Sequence, residues 1–130
     1  MSCEVLLSAE FWTYIDGQLR IYMSISKRIT VRVALVGACE VGKTSILLRA
    51  MGKRVPKKYV ATIGIDSGVY RCVQEDQYVT LKMWDCSGDD RFRPIIPRFL
   101  RDSKFVLFCF DLSRPETFES VKKYVELVDS

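Results

Sequence analysis

Eight consecutive residues, Gly37-Ala38-Cys39-Glu40-Val41-Gly42-Lys43-Thr44, have the spacing G-x-x-x-x-G-K-T of a phosphate-binding P-loop. Gly37 and Gly42 leave room for the backbone to wrap close around an oxyanion. The N–H groups of the loop, and the positive end of a helix opened by Ser45, then face the phosphates. Lys43 supplies a point charge for the terminal phosphates, and Thr44 a hydroxyl for Mg²⁺. Residues 37–45 are therefore candidate nucleotide contacts. A chance glycine turn before an ordinary helix is the rival reading.

Two further segments carry matching chemistry. Trp84-Asp85-Cys86-Ser87-Gly88 ends an apolar run. Asp85 there can hold Mg²⁺ through water, and Gly88 can offer its N–H to a γ-phosphate. Asp and Gly are also common turn residues, so a strand running into a turn would look the same. In Tyr59-Val60-Ala61-Thr62-Ile63-Gly64-Ile65-Asp66, Thr62 stands 19 residues after Lys43 on a loop before a strand. Its hydroxyl could complete the magnesium shell; a β-branched residue entering a strand is the alternative. The candidate metal ligands are thus Thr44, Thr62 and Asp85.

The elements that must position these residues follow from the pattern. Ile29–Val36 is β-branched and reads as a strand before the loop. The helix after it spans about 43–52, and a loop runs from there through Pro56 to Gly64. Residues 65–74 and 77–85 form two β runs around a polar turn. Residues 92–102 are irregular and partly helical. Phe105-Val106-Leu107-Phe108-Cys109-Phe110 is uninterruptedly apolar, as a strand buried on both faces would be. Ser113 and Glu116 form a capping box, with Phe118, Val121, Val125 and Val128 recurring on one helical face. From residue 29 on, the class is α/β.

Residues 1–28 stand apart as an N-terminal extension. Phe11–Ile15 and Gln18–Met23 flank Asp16-Gly17, a hairpin signal with a type I′ turn. Such a hairpin is marginal alone; an unfolded leader is the alternative.

A chain of 130 residues suggests one domain, and 48% hydrophobic residues can build a core. The net charge of +4 is spread along the chain and does not argue for nucleic acid. Lys53, Arg54, Lys57 and Lys58 read as a solvated loop or as a patch for an acidic partner. The five cysteines, at 3, 39, 72, 86 and 109, are odd in number and lack a C-x-x-C pair. Reduced thiols in a cytosolic setting are expected, rather than disulfides or a zinc site. The absence of histidine removes His-based catalysis. No apolar run reaches the roughly 18 residues of a membrane span. Glu4 and Glu10 do not fit a signal peptide, Ser2 excludes N-myristoylation, and the last residues carry no prenylation box.

Taken together, GACEVGKTS, YVATIGID, WDCSGDDRF and IPRFLRDSKFVLFCFDLSRPETFESV resemble, in order and spacing, a Ras-superfamily small GTPase, nearest to the Rab branch. The resemblance spans about 29–130 and implies a P-loop NTPase (Ras-like) fold with a mostly parallel sheet whose second strand is antiparallel. It implies a GTP/GDP switch with Mg²⁺ as cofactor. The loops carrying Thr62 and Gly88 would be ordered by the γ-phosphate and relax after hydrolysis. Effector and regulator proteins would read these switch regions, about 56–66 and 86–101. The carried-over roles are phosphate cradle for 37–44, magnesium for Thr44, Thr62 and Asp85, and γ-phosphate sensing for Gly88.

Four departures qualify the resemblance. The motif after the magnesium Asp usually ends Ala-Gly-Gln-Glu, and here reads Ser87-Gly88-Asp89-Asp90. Asp89 replaces the Gln that orients the attacking water, so of the two candidate catalytic residues, Lys43 and Asp89, the second predicts slow hydrolysis or none. Val55 stands 12 residues after Lys43, where the family often has an aromatic over the guanine. The guanine-reading N-K-x-D and S-A-K segments and the last strands and helices do not follow, so the domain reads as incomplete and the 105–110 strand as an edge. No lipidation site implies no direct lipid anchor. The expectation is a cytoplasmic protein, recruited to membranes only through partners, that binds nucleotide weakly with little hydrolysis. Cys39 is expected to be a reactive thiol that nucleotide protects, or simply a small residue filling a tight loop. Competing readings are a non-catalytic interaction module, a truncation without independent function, and a P-loop ATPase or kinase.

Overall fold

The computed structural model describes residues 11–15, 18–22, 27–74 and 77–129. They fall into two compact units. The first holds the described residues up to Thr30 together with Arg71–Thr80, and the second Val31–Tyr70 and the chain from Leu81 on.

In the first unit, β1 (Phe11–Ile15) pairs antiparallel with β2 (Gln18–Tyr22), Phe11 opposite Tyr22 and Ile15 opposite Gln18. That register leaves two residues for the connection, the length an Asp-Gly turn serves. The expected turn at Asp16-Gly17 itself lies outside the described residues. The Arg28 guanidinium carbon lies 6.0 Å from the centroid of the Tyr78 ring.

The main sheet has the order β4-β5-β3-β6, with β3 at Lys27–Val36, β4 at Ile65–Gln74, β5 at Gln77–Cys86 and β6 at Phe105–Phe108. Strands β3 and β6 run parallel, Val33 opposite Phe105 and Val36 opposite Phe108. Adjacent strands with only two residues between them, as β4 and β5 are, must be antiparallel. The sheet is mixed and mostly parallel, the α/β class expected of a P-loop protein.

Strand β3 explains where the core sits. Its successive side chains point to opposite faces. Val33 and Leu35 pack with Leu47 and Met83 on one face. Ala34 and Val36 pack with Cys86, Ile96, Leu100 and Tyr124 on the other. Burying a Leu such as Leu35 or Leu47 stabilises by about 1.5–3 kcal/mol. The P-loop leaves the end of this most buried strand, and so starts from a fixed point.

Helix α1 (Lys43–Ala50) begins at Gly42, whose φ of 96° is left-handed. It ends at Ala50, and beyond the Met51 cap Gly52 turns left-handed, φ 70°, with Gly52 N–H donating to Arg49 O and Lys53 N–H to Leu48 O. These two bonds form a Schellman stop, two residues before the expected end. Residues 90–101 are more regular than expected: a 3₁₀ turn over Asp90–Ile95 runs into α2 (Ile96–Arg101).

Three expectations fail around the C-terminal helices, α3 (Pro115–Glu119) and α4 (Val121–Asp129). Strand β6 is not buried on both faces: Phe105 and Leu107 are 57% and 46% exposed. Only Val106 and Phe108 pack on the core, and β3 is the only strand beside β6 among those described. Ser113 is not a helix cap. Its hydroxyl and N–H both turn back to Asp111 Oδ1, at 2.6 and 2.9 Å, and Arg114 is the N-cap before Pro115. Pro is favoured at the first helical position, which moves the start one residue later and takes Glu116 out of the N3 place. The expected apolar stripe is not the buried face: only Val121 of its four residues is half-buried. Phe118, Val125 and Val128 are exposed, whereas Tyr124 is buried. Ser120, between α3 and α4, keeps helical angles of φ −65° and ψ −21°, and it is Tyr124, not Val125 or Val128, that packs with Ala34 and Val36 of the sheet.

Candidate functional site

The P-loop folds as its glycines require. Gly37 has φ 151°, and a Cβ there would lie 2.1 Å from the Cys109 carbonyl oxygen. Glu40 adopts φ 61° without being glycine, a conformation with a steric cost that the surroundings must hold. Gly42 turns the chain into α1, and Ile46 N–H closes the first helical bond on its carbonyl at 2.9 Å. Ala38 and Val41 are half-buried, and Cys39 is exposed.

Lys43 is buried, and its Nζ donates to the carbonyls of Gly37 at 2.9 Å and Ala38 at 2.5 Å. The ammonium is thereby curled back along the loop. Burial pulls its pKa below the usual lysine value, and the nearby Asp85 carboxylate opposes that shift.

Three segments far apart in sequence meet at the head of α1. The Thr44 hydroxyl donates to Asp85 Oδ2 at 2.5 Å and lies 2.9 Å from Thr62 Oγ1. Thr62 Oγ1 is 3.4 Å from the same carboxylate oxygen. Asp85 is fully buried, and its Oδ1 has no hydrogen-bond partner. Burial pushes its carboxyl above the usual range, while Thr44, Lys43 and Thr62 pull it back. A buried carboxylate with an unpartnered oxygen beside two hydroxyls is an all-oxygen donor set, which suits a hard divalent cation such as Mg²⁺. Among the described residues no group of three His, Cys, Asp or Glu side chains could hold a metal. A cation here would need other oxygens, such as phosphates and water, to complete its shell.

Gly88 packs directly on the P-loop. A Cβ there would lie 2.3 Å from Cys39 N and 2.4 Å from Ala38 C. Ser87, just before it, is tied by its N–H to Gly64 O at 2.9 Å, which joins the end of β5 to the loop carrying Thr62. Asp89 points elsewhere. Its Oδ1 accepts the Arg91 N–H at 2.9 Å, and Arg91 grips both carboxylate oxygens, with Nη2 at 2.6 Å from Oδ2. These bonds from Arg91 hold the Asp89 carboxyl below its ordinary range. The carboxylate caps the 3₁₀ turn and has its charge compensated.

These segments enclose a cavity of about 640 Å³. Its wall takes in Cys39, Glu40, Gly42, Lys43, Thr44 and Ser45 from the loop and helix, Val55 through Ile63 in part, and Ser87 through Phe92 in part. Asp85 lies beneath it rather than in its wall. Every candidate residue singled out in the sequence therefore belongs to one region.

Sequence reading missed two residues that touch the P-loop from the far end of the chain. Arg114 Nη2 donates to Glu40 O at 2.9 Å, across 74 positions. The Tyr124 hydroxyl donates to Gly37 O at 3.0 Å, across 87. Neither residue type marks a phosphate site, and no local pattern links such distant positions.

The geometry agrees with the comparison to known protein families. The model of the Ras family matches residues 32–130, most of the chain and all of the site.

Proposed function

The chain belongs to the Ras family and is a GTP-binding, small-GTPase-like protein; from that premise we propose that it is a magnesium-dependent GTP/GDP switch of the Rab-like branch with little intrinsic hydrolysis. One observation carries the reading: Thr44, Thr62 and Asp85, from a helix start, a loop and a strand end, converge within hydrogen-bond reach at the P-loop.

In this reading the loop N–H groups from Ala38 to Thr44 and the start of α1 bind the β-phosphate. Lys43 leaves its carbonyl partners and meets the terminal phosphates. Thr44 and Thr62, with Asp85 through water, would hold Mg²⁺, which would neutralise phosphate charge. The N–H of Gly88 senses the γ-phosphate. Loss of that phosphate removes ligands from Thr62 and Gly88 together, and the bond from Ser87 N–H to Gly64 O couples the two loops. Such order–disorder changes are how switch loops report nucleotide state to effectors and regulators.

Slow turnover follows from Asp89. Its carboxylate is engaged by Arg91, so it does not orient water as an unengaged Gln would. Val55 lines the cavity without an aromatic ring, and we infer a weak hold on the base. Membrane roles in traffic would come through protein partners; among the described residues no helix is long and apolar enough to cross a membrane.

Thr62→Ala tests the switch. It should weaken binding of a non-hydrolysable GTP analogue by about tenfold while changing GDP affinity little, since one charge-assisted contact is worth about 1.5 kcal/mol. Equal losses for both nucleotides would mean that Thr62 does not read the γ-phosphate.

A further inference from the structure

The P-loop is held from outside by the segment that follows β6. Arg114 reaches its back: Nη2 donates to Glu40 O at 2.9 Å and lies 3.5 Å from Cys39 O. Nη1 stands 3.8 Å from the Glu40 carboxylate. On its other side Arg114 is fixed by Asp111, whose Oδ2 accepts Nε at 3.1 Å. Asp111 is itself set by Ser113, and the Arg114 carbonyl accepts both Thr117 N–H and Thr117 Oγ1. At the opposite end of the loop, the buried Tyr124 hydroxyl donates to Gly37 O at 3.0 Å. The same carbonyl takes the Lys43 ammonium at 2.9 Å.

The residue that Arg114 grips is Glu40, the non-glycine residue at φ 61°. A left-handed conformation at such a residue persists only where its surroundings over-determine it. Turning the Glu40 peptide to ordinary φ would redirect the N–H groups that would face phosphate. We propose that Arg114, buttressed by Asp111, and Tyr124 are positioning residues that brace the P-loop at its two ends and keep it in its phosphate-binding shape before any ligand arrives. The consequence for affinity rests on the nucleotide-binding reading above, whereas the bracing itself does not. Neither side chain lines the cavity: Arg114 acts through Glu40, and Tyr124 through Gly37.

The test is hydrogen–deuterium exchange on the full chain without nucleotide, following the peptide over 37–44 against a reference peptide over 31–36. Arg114→Ala should raise exchange in 37–44 by about threefold to tenfold, with the reference unchanged. Tyr124→Phe should do the same toward Gly37, and Arg114→Lys should fall between wild type and Ala because it loses the forked contact. In a Glu40→Gly background, where the left-handed turn carries no side-chain penalty, Arg114→Ala should have a smaller effect. Unchanged exchange at 37–44 overturns the proposal. An equal rise in both peptides also overturns it, since that is general loosening. For nucleotide, Arg114→Ala should weaken Mg²⁺–GDP binding about fivefold, with less loss in the Glu40→Gly background. If exchange behaves as expected but no variant binds nucleotide, the binding reading fails and the brace stands. If wild type binds and exchange does not respond, the reverse holds.

Discussion

Gly88→Ala places one methyl group where the structure has no room. The new Cβ would sit 2.3 Å from Cys39 N, 2.4 Å from Ala38 C and 2.7 Å from Ala38 O. Ordinary contact begins near 3.4 Å, so the two backbones must part by roughly 1 Å. All three atoms are main chain, and no rotamer change can relieve the clash. Overpacking of this kind destabilises by about 1–3 kcal/mol. The larger effect is functional, because parting the backbones pulls loop N–H groups off the phosphate positions, and each charge-assisted hydrogen bond lost costs about 1.5–3 kcal/mol. Gly52→Ala is the control. Gly52 has φ 70°, but a Cβ there meets nothing within 4 Å, so it should lose about 1 kcal/mol of stability from the turn alone. Denaturant unfolding and GTP-analogue titration on both variants separate the effects. Gly88→Ala should lose at least tenfold in affinity, and Gly52→Ala less than twofold. A Gly88→Ala chain that binds as wild type does would refute the idea that close packing of this loop on the P-loop shapes the site.

Other expectations concern charge and thiols. Asp85→Asn should abolish the magnesium dependence of binding while leaving the magnesium-free chain folded, because the substitution removes a buried charge whose Oδ1 lacks a partner; unaltered magnesium dependence would remove Asp85 from the cation site. Burial pushes the Cys86 thiol from 9.0 to about 12. The folded chain therefore binds this proton more tightly than the unfolded one, and stability is lost as pH rises from 9 toward 12. With each tenfold change in proton affinity worth about 1.4 kcal/mol, the loss approaches roughly 4 kcal/mol, and Cys86→Ala should flatten that alkaline slope in thermal melts. Native-state alkylation followed by mass spectrometry should label exposed Cys39 before buried Cys86, and Mg²⁺–nucleotide should slow labelling at Cys39. In single-turnover assays, Asp89→Gln should speed GTP hydrolysis at least tenfold, since it frees the position from Arg91 and restores a side chain able to orient water.

Much of the site was legible because its determinants are local. Gly37 and Gly42 announce turns that other residues adopt poorly, and Asp85 and Gly88 sit where an apolar run ends. What was not legible depends on tertiary packing. Glu40 gave no sign of its left-handed backbone, because only the fold reveals Arg114 behind it. Ser113 and Glu116 match a helix cap in spacing, yet Asp111 competes for the serine hydroxyl and Pro115 shifts the start. The valines of α4 follow a helical period, but Val125 and Val128 are exposed and Tyr124 is the residue that joins the core, and periodicity alone does not say which side of a helix meets the sheet. Asp89 reads only as the replacement for a water-orienting Gln until Arg91, two residues on, is seen to hold it.

The most direct measurement is a titration of the 130-residue chain with fluorescent GDP and GTP analogues, with and without Mg²⁺, beside Lys43→Ala and with ATP as competitor. The P-loop reading predicts saturable, magnesium-dependent binding that falls about tenfold to a hundredfold when the lysine contact is lost. Binding of equal strength in Lys43→Ala, or no binding by a cooperatively folded chain, would contradict it.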